Sequence, residues 1–126
     1  MNFRTPLARV RGLGSAKSGT RHWWLQRLTA AALVPLSLWF VAVLISLASA
    51  DYAVVVAWLG SPVTAILAGA FIVAIFYHAQ LGVQVVLEDY VHAEWLKLTG
   101  IVLTKLVAML LAGASLFAVL RIAFTT

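Results

Sequence analysis

An ionisable side chain in the middle of an uncharged run needs a reason to be there, and His78 holds such a position. It lies in Phe71-Ile-Val-Ala-Ile-Phe-Tyr-His78-Ala-Gln-Leu-Gly82, within a stretch from Tyr52 to Leu87 that contains no Asp, Glu, Lys or Arg. On a helix at about 100° per residue, Phe71 and Asp89 fall about 20° from His78 and Gly82 about 40°, so one stripe carries all of them. An imidazole placed this way can act as polar glue, hydrogen-bonding across a helix interface. Its neutral form can equally ligate a metal through one nitrogen, and haem iron is the usual client inside a membrane. Gly82, one turn on, removes a side chain where a flat macrocycle would lie, although small residues also serve helix packing in general. No second histidine lies at that depth, so a bis-histidine site must draw its other ligand from another chain.

Asp89 and Tyr90 close the same run. Tyr90 is twelve residues beyond His78, about 18 Å along a helix axis. A tyrosine offers an O–H donor that a carbonyl oxygen accepts, and a neighbouring carboxylate can orient it or relay protons. The pair could therefore serve a lipid-soluble carbonyl ligand; it also reads as an interfacial aromatic beside a solvated acid. His22 and His92 fall in the flanks of apolar runs, where solvent or headgroups satisfy them.

The elements that must position these residues follow from composition. The chain has 126 residues, of which 63% are hydrophobic and 10% charged, and its mean hydropathy is +1.02. Soluble domains are about 45–50% apolar and about 25% charged. Four acids and nine bases cannot cover a globule this small. A soluble enzyme, a nucleic-acid-binding domain and a disordered chain are thereby excluded, and the bilayer is the solvent. There is no cysteine, which removes disulfides, iron–sulfur ligation and thiolate metal sites.

A hydrocarbon core about 30 Å thick takes about 20 apolar residues of helix. Leu28 to Ala50 is 23 residues without a charge. Tyr52 to Leu87 is 36, too many for one span, and it carries its own punctuation at Gly60-Ser61-Pro62. Ser61 suits an N-cap and Pro62 the first helical position. The reading is an all-α integral membrane protein with three transmembrane helices, at about 24–49, 62–88 and 98–124. They form a membrane domain over 21–126 that follows a basic segment, 1–20, on the inner membrane face. Ser49 to Gly60 is expected to be a loop. Lys105 and Arg121 sit towards the ends of the third span and can snorkel. Pro35 predicts a kink in the first span. Ala48-Ser49-Ala50 has the form of a signal-peptidase site, but its apolar run exceeds the 7–15 residues of a secretory signal.

Arg4, Arg9, Arg11, Lys17, Arg21 and Arg27 all precede the first span, and the loop between the first two spans has neither Lys nor Arg. The positive-inside rule then places the N-terminus inside and the C-terminus outside. The net charge of +5 is therefore a topology signal, with no nucleic acid as partner. Trp23, Trp24 and Trp95 mark one interface and Trp58 the other, as aromatic belts do.

The spacing His78-Ala-x-x-Gly82-x6-Asp89-Tyr90, in the second of three spans after a basic segment, resembles the hydrophobic membrane-anchor subunit of succinate dehydrogenase, often called the D subunit. The resemblance covers essentially the whole chain. It implies a bacterial or mitochondrial-type inner membrane and a helical bundle completed by a second, cytochrome b-type anchor subunit. A b-type haem is shared between the two, with one axial histidine from each, and His78 matches the ligand of this chain. Arg27, in Arg27-Leu-Thr-Ala30, matches an arginine that approaches the haem propionates, with Arg21 and His22 as the alternatives. Tyr90 matches a tyrosine that hydrogen-bonds a ubiquinone carbonyl, and Asp89 its acidic neighbour. The site implied lies near the inner face, where the anchors meet the iron–sulfur subunit and, beyond it, the flavoprotein subunit.

The function that follows is anchoring and electron transfer from succinate to ubiquinone, within the tricarboxylic acid cycle and respiratory chain. The chain alone is not catalytic: it has no succinate site and no flavin motif. Two other readings belong to different classes. One is the anchor of a related fumarate reductase. The other is a small transporter or channel subunit in which His78 binds a proton. A reduced b-type haem band separates the redox readings from the last.

Overall fold

The computed structural model describes residues 5–12 and 19–125. Residues 1–4 and 13–18 of the expected basic segment, Arg4 and Lys17 among them, lie outside the described residues. Five helices follow one another: α1 Pro6–Val10, α2 Gly19–Leu47, α3 Tyr52–Leu59, α4 Pro62–Tyr90 and α5 Glu94–Thr125. Three of them, α2, α4 and α5, are long and apolar enough to cross a membrane. Each expected span is present, and each is longer than its apolar run. α2 begins at Gly19 and α5 at Glu94, so both extend into polar sequence on the side that carries Tyr90. At 29 residues, α2 and α4 are about 43 Å long. That exceeds the hydrocarbon thickness, so their ends stand in the headgroup layer, where water tolerates polar helix faces.

Ser61 starts α4 in the expected way. Its backbone is extended, its Oγ accepts from the Thr64 amide at 3.4 Å, and its hydroxyl donates to Thr64 Oγ1 at 2.7 Å. The expected loop before it is a correction: Tyr52–Leu59 is a helix. Three consecutive valines argue against helix by propensity. At a membrane boundary, however, backbone polar groups need internal partners, and Trp58 stacks on Trp39 of α2 at 5.8 Å. α2 remains helical through Pro35.

α4 lies between its two long neighbours, and both run antiparallel to it. The packing is sparse. Among the described residues Phe71, Ala74, Leu81 and Val119 are the buried apolar ones, and α2 has none. Large apolar side chains such as Leu38, Ile45, Ile66 and Leu110 are at least 70% exposed; in a bilayer these are the faces for lipid and for neighbouring helices. The α4–α5 contact is close at Gly100, where an added Cβ would meet Leu87 Cδ1 at 3.1 Å. Gln80 is buried beside α5 and forms the top of a ladder. Its Nε2 donates to Gln84 Oε1 at 3.2 Å, and Gln84 Nε2 donates to Glu88 Oε1 at 2.8 Å. The amides are thus satisfied along their own helix, as buried polar groups must be. Lys105 lies eleven residues into α5, about 16 Å from that helix's start. It lines a groove with Gln80 and Tyr77, deeper than an end-of-span position.

Candidate functional site

The His78 stripe of α4 faces α2. Phe71 stacks on Phe40 with ring centroids 4.6 Å apart. Seven residues on, His78 Nδ1 lies 3.0 Å from Thr29 Oγ1. One turn further, a Cβ at Gly82 would meet Gln26 Nε2 at 4.0 Å. Each step towards the end of α4 moves towards the start of α2, as an antiparallel pair requires.

The Thr29 hydroxyl has one proton and three near neighbours. Leu25 O is at 2.7 Å, Gln26 O at 3.2 Å and His78 Nδ1 at 3.0 Å. The shortest contact is the i−4 carbonyl of its own helix, the usual target of a helical threonine. If that proton goes to Leu25 O, Thr29 Oγ1 can only accept from the ring, which selects the Nδ1–H tautomer and leaves the Nε2 lone pair, the form of imidazole that ligates a metal.

His78 opens on a cleft of about 530 Å³ between α2 and α4, lined also by His22, Gln26, Arg27 and Val85. That volume falls within the range of about 300–1,000 Å³ usual for cofactor sites. Two of its polar atoms, His22 Nε2 and Gln26 Oε1, are buried and have no hydrogen-bond partner among the described residues. Buried polar atoms are rarely left so, and two in one cleft mark a place where a polar guest belongs. Arg27 stands exposed at the rim with its guanidinium 5.4 Å from the Trp23 ring, a cation–π distance that leaves its N–H edge for an anion. Of the three residues weighed for that role, Arg27 and His22 line the cleft, and Arg21 is exposed and outside the lining.

These observations test the fit of a haem. An imidazole with a free lone pair, a cation at the rim and unsatisfied polar atoms between them suit a ligated iron with anionic propionates. Gly82 adds a point. A methyl there would find only ordinary contact with Gln26, so α2–α4 packing within this chain does not demand glycine. Among the described residues, no three of His, Cys, Asp or Glu gather as a metal-ion site.

Asp89 and Tyr90 sit elsewhere. Both are exposed at the last turn of α4, Tyr90 to 79%, and among the described residues neither side chain makes a hydrogen bond. Tyr90 lies twelve residues from His78, about 18 Å along the axis and about 120° around it, so the two side chains occupy separate places. His92 is exposed beside them. Thr29 and Gln26 escaped sequence reasoning. The signal was available only in combination: both are polar residues of α2, and antiparallel pairing puts them level with His78 and Gly82.

Residues 1–120 match the family described as succinate dehydrogenase/fumarate reductase transmembrane subunit. A succinate dehydrogenase hydrophobic membrane anchor subunit of Rickettsia bellii is 37% identical over 118 residues, 94% of each chain. The subunit of that name from Paracoccus denitrificans is 26% identical over 121 residues, 96% of this chain and 93% of the relative. A succinate dehydrogenase membrane anchor subunit of Reclinomonas americana is 33% identical, covering 74% of this chain and 80% of the relative. No solved structure matches. With three apolar helices of spanning length and a family match along nearly its whole length, the chain is a multi-pass inner-membrane protein that belongs to the succinate dehydrogenase/fumarate reductase transmembrane subunit family.

Proposed function

We propose that this chain is the membrane-anchor subunit of a succinate:quinone oxidoreductase. It holds the iron–sulfur and flavoprotein subunits at the membrane and provides one axial ligand to a b-type haem. It also contributes part of the ubiquinone-reduction site. The observation that carries the reading is the His78–Thr29 hydrogen bond of 3.0 Å, because it leaves Nε2 as a free donor atom at mid-span beside a cleft with orphaned polar atoms. His78 would hold the haem iron from this chain, and a second anchor subunit would supply the remaining protein ligand. Arg27 faces the propionates, for which a charge-assisted pair at a boundary of low dielectric is strong. When bound, the haem supplies a one-electron centre within the membrane.

The chain's own residues divide the remaining work. Gly82 keeps the α4 surface low beside the ligand. Tyr90 donates its phenolic O–H to a quinone carbonyl, and Asp89 orients that phenol or passes protons to it from the inner water. Their exposure accords with a pocket whose other walls belong to partner subunits. The arginines of the N-terminal segment put Tyr90 on the inner side, where two protons per quinone are at hand. A reporter fused after Thr126 is accordingly expected to be active only outside.

The deciding experiment is a dithionite-reduced minus oxidised spectrum of this chain co-expressed with its partner subunits and purified from membranes. A b-type haem band is expected. A fully assembled complex without one removes the haem assignment and favours a non-redox role for His78.

A further inference from the structure

We infer that Thr29 is the residue that fixes the tautomer of His78 and thereby sets the haem's redox potential. The inference rests on ligation of haem iron by His78.

Thr29 Oγ1 sits 2.7 Å from Leu25 O and 3.0 Å from His78 Nδ1. Its single proton goes to the carbonyl, so the threonine can only accept from the ring. That is an asymmetric device. A hydroxyl free to rotate would tolerate either tautomer, but one anchored to its own helix backbone tolerates only Nδ1–H. The other tautomer would place two lone pairs against each other at 3.0 Å and put a proton on Nε2, where it blocks coordination.

The position makes the device effective. Thr29 and His78 are both half-buried, and the neighbouring groove wall of Ala32, Ala70, Val73 and Ala74 is apolar. No other acceptor for Nδ1–H is present among the described residues. Removing the hydroxyl therefore leaves a donor without a partner in a medium of low dielectric. Hydrogen bonding to the distal ring nitrogen of a metal-bound histidine raises the basicity of the ligating nitrogen. A more basic ligand stabilises ferric over ferrous iron, so the Thr29 contact holds the potential down. Thr29 acts through His78 and touches no iron itself, which makes it a positioning residue.

Thr29→Val keeps the branched shape and deletes the acceptor. Thr29→Ala and Thr29→Ser form a second pair that differs by the hydroxyl alone. The measurement is a redox titration of the haem band in membranes holding the whole complex. Dye-linked succinate oxidation reports that the complex is assembled. Without the hydroxyl the oxidised-to-reduced ratio at a given potential is expected to fall by about 2- to 13-fold, the span of one net hydrogen bond. At 59 mV per decade for one electron this is an upward shift of roughly 20–65 mV. Haem retention is expected to weaken by about 10- to 100-fold, as for other outer partners of metal ligands. Thr29→Ser is expected to restore both properties. Haem absent from Val and Ala variants but held by Ser carries the same meaning. A wild-type potential in either hydroxyl-free variant overturns the role of Thr29 while leaving His78 as ligand. An unchanged haem spectrum in His78→Ala overturns the ligation on which it rests.

Discussion

Two polar places on α4, around His78 and around Tyr90, are built to different degrees. Around His78 the chain gathers an imidazole, a threonine hydroxyl at 3.0 Å from it, a rim arginine and a cleft with two polar atoms that lack partners among the described residues. Around Tyr90 it supplies two side chains on an exposed last turn and no wall. The difference follows from solvent. Between two apolar helices an imidazole has little water to satisfy it, so its partner must come from a packed helix. At the headgroup boundary a phenol and a carboxylate are hydrated until a partner subunit arrives. The deep place is therefore largely walled by one chain. The shallow place waits for assembly.

The largest effect that can break this comparison is expected from His78→Ala. Haem should be lost, or retained with an altered spectrum, while succinate oxidation by a dye acceptor continues. That result would separate the deep place from docking; loss of dye-linked turnover as well would mean that the cleft also holds the complex together.

Gly82→Ala is the sharper test of the cleft. In a helix interior the substitution should favour folding by about 1 kcal/mol, and within this chain the new methyl meets only Gln26 Nε2 at 4.0 Å. If a macrocycle lies against that surface, overpacking should cost about 1–3 kcal/mol of haem binding. Haem content per complex after detergent washing measures it. Unchanged retention would place the macrocycle away from Gly82.

Tyr90→Phe addresses the shallow place. It removes one hydroxyl and keeps the ring. Quinone-linked turnover is expected to fall about 2- to 13-fold, the effect of one net hydrogen bond of about 0.5–1.5 kcal/mol, with dye-linked turnover and haem content near normal. Asp89→Asn should act in the same direction. Equal losses in quinone and dye assays would point to assembly instead, and normal quinone turnover would take Tyr90 out of the site.

The smallest functional effect is expected at the opposite end of α4. Ser61→Ala removes the cap that accepts from the Thr64 amide. Stability should drop by about 1 kcal/mol, seen as a lower thermal midpoint of the complex, with both redox assays unaltered. A change in haem potential there would show that the two ends of α4 are coupled.

Much of the fold was legible because a bilayer imposes simple rules. Uncharged length, the Ser61-Pro62 break and the single mid-span histidine each have a physical meaning that needs no neighbour. The helix Tyr52–Leu59 was not legible, because its valines speak for an extended or irregular chain. Stacking of Trp58 on Trp39 and the need to pair backbone groups near lipid outweigh that local preference.

The division at the site has the same cause. Sequence alone determined that His78, Gly82, Phe71 and Asp89 share one stripe of a helix, since the helical period is a local property. It also determined that Asp89 and Tyr90 lie a bilayer's half-thickness from His78, since helical rise is local as well. Only tertiary structure decided which helix that stripe faces. It set the register that brings Thr29 to His78 and Gln26 to Gly82, and it chose Arg27 and His22 over Arg21 for the cleft. Register depends on how two apolar surfaces interlock along their whole length, and no single residue of either helix carries that information.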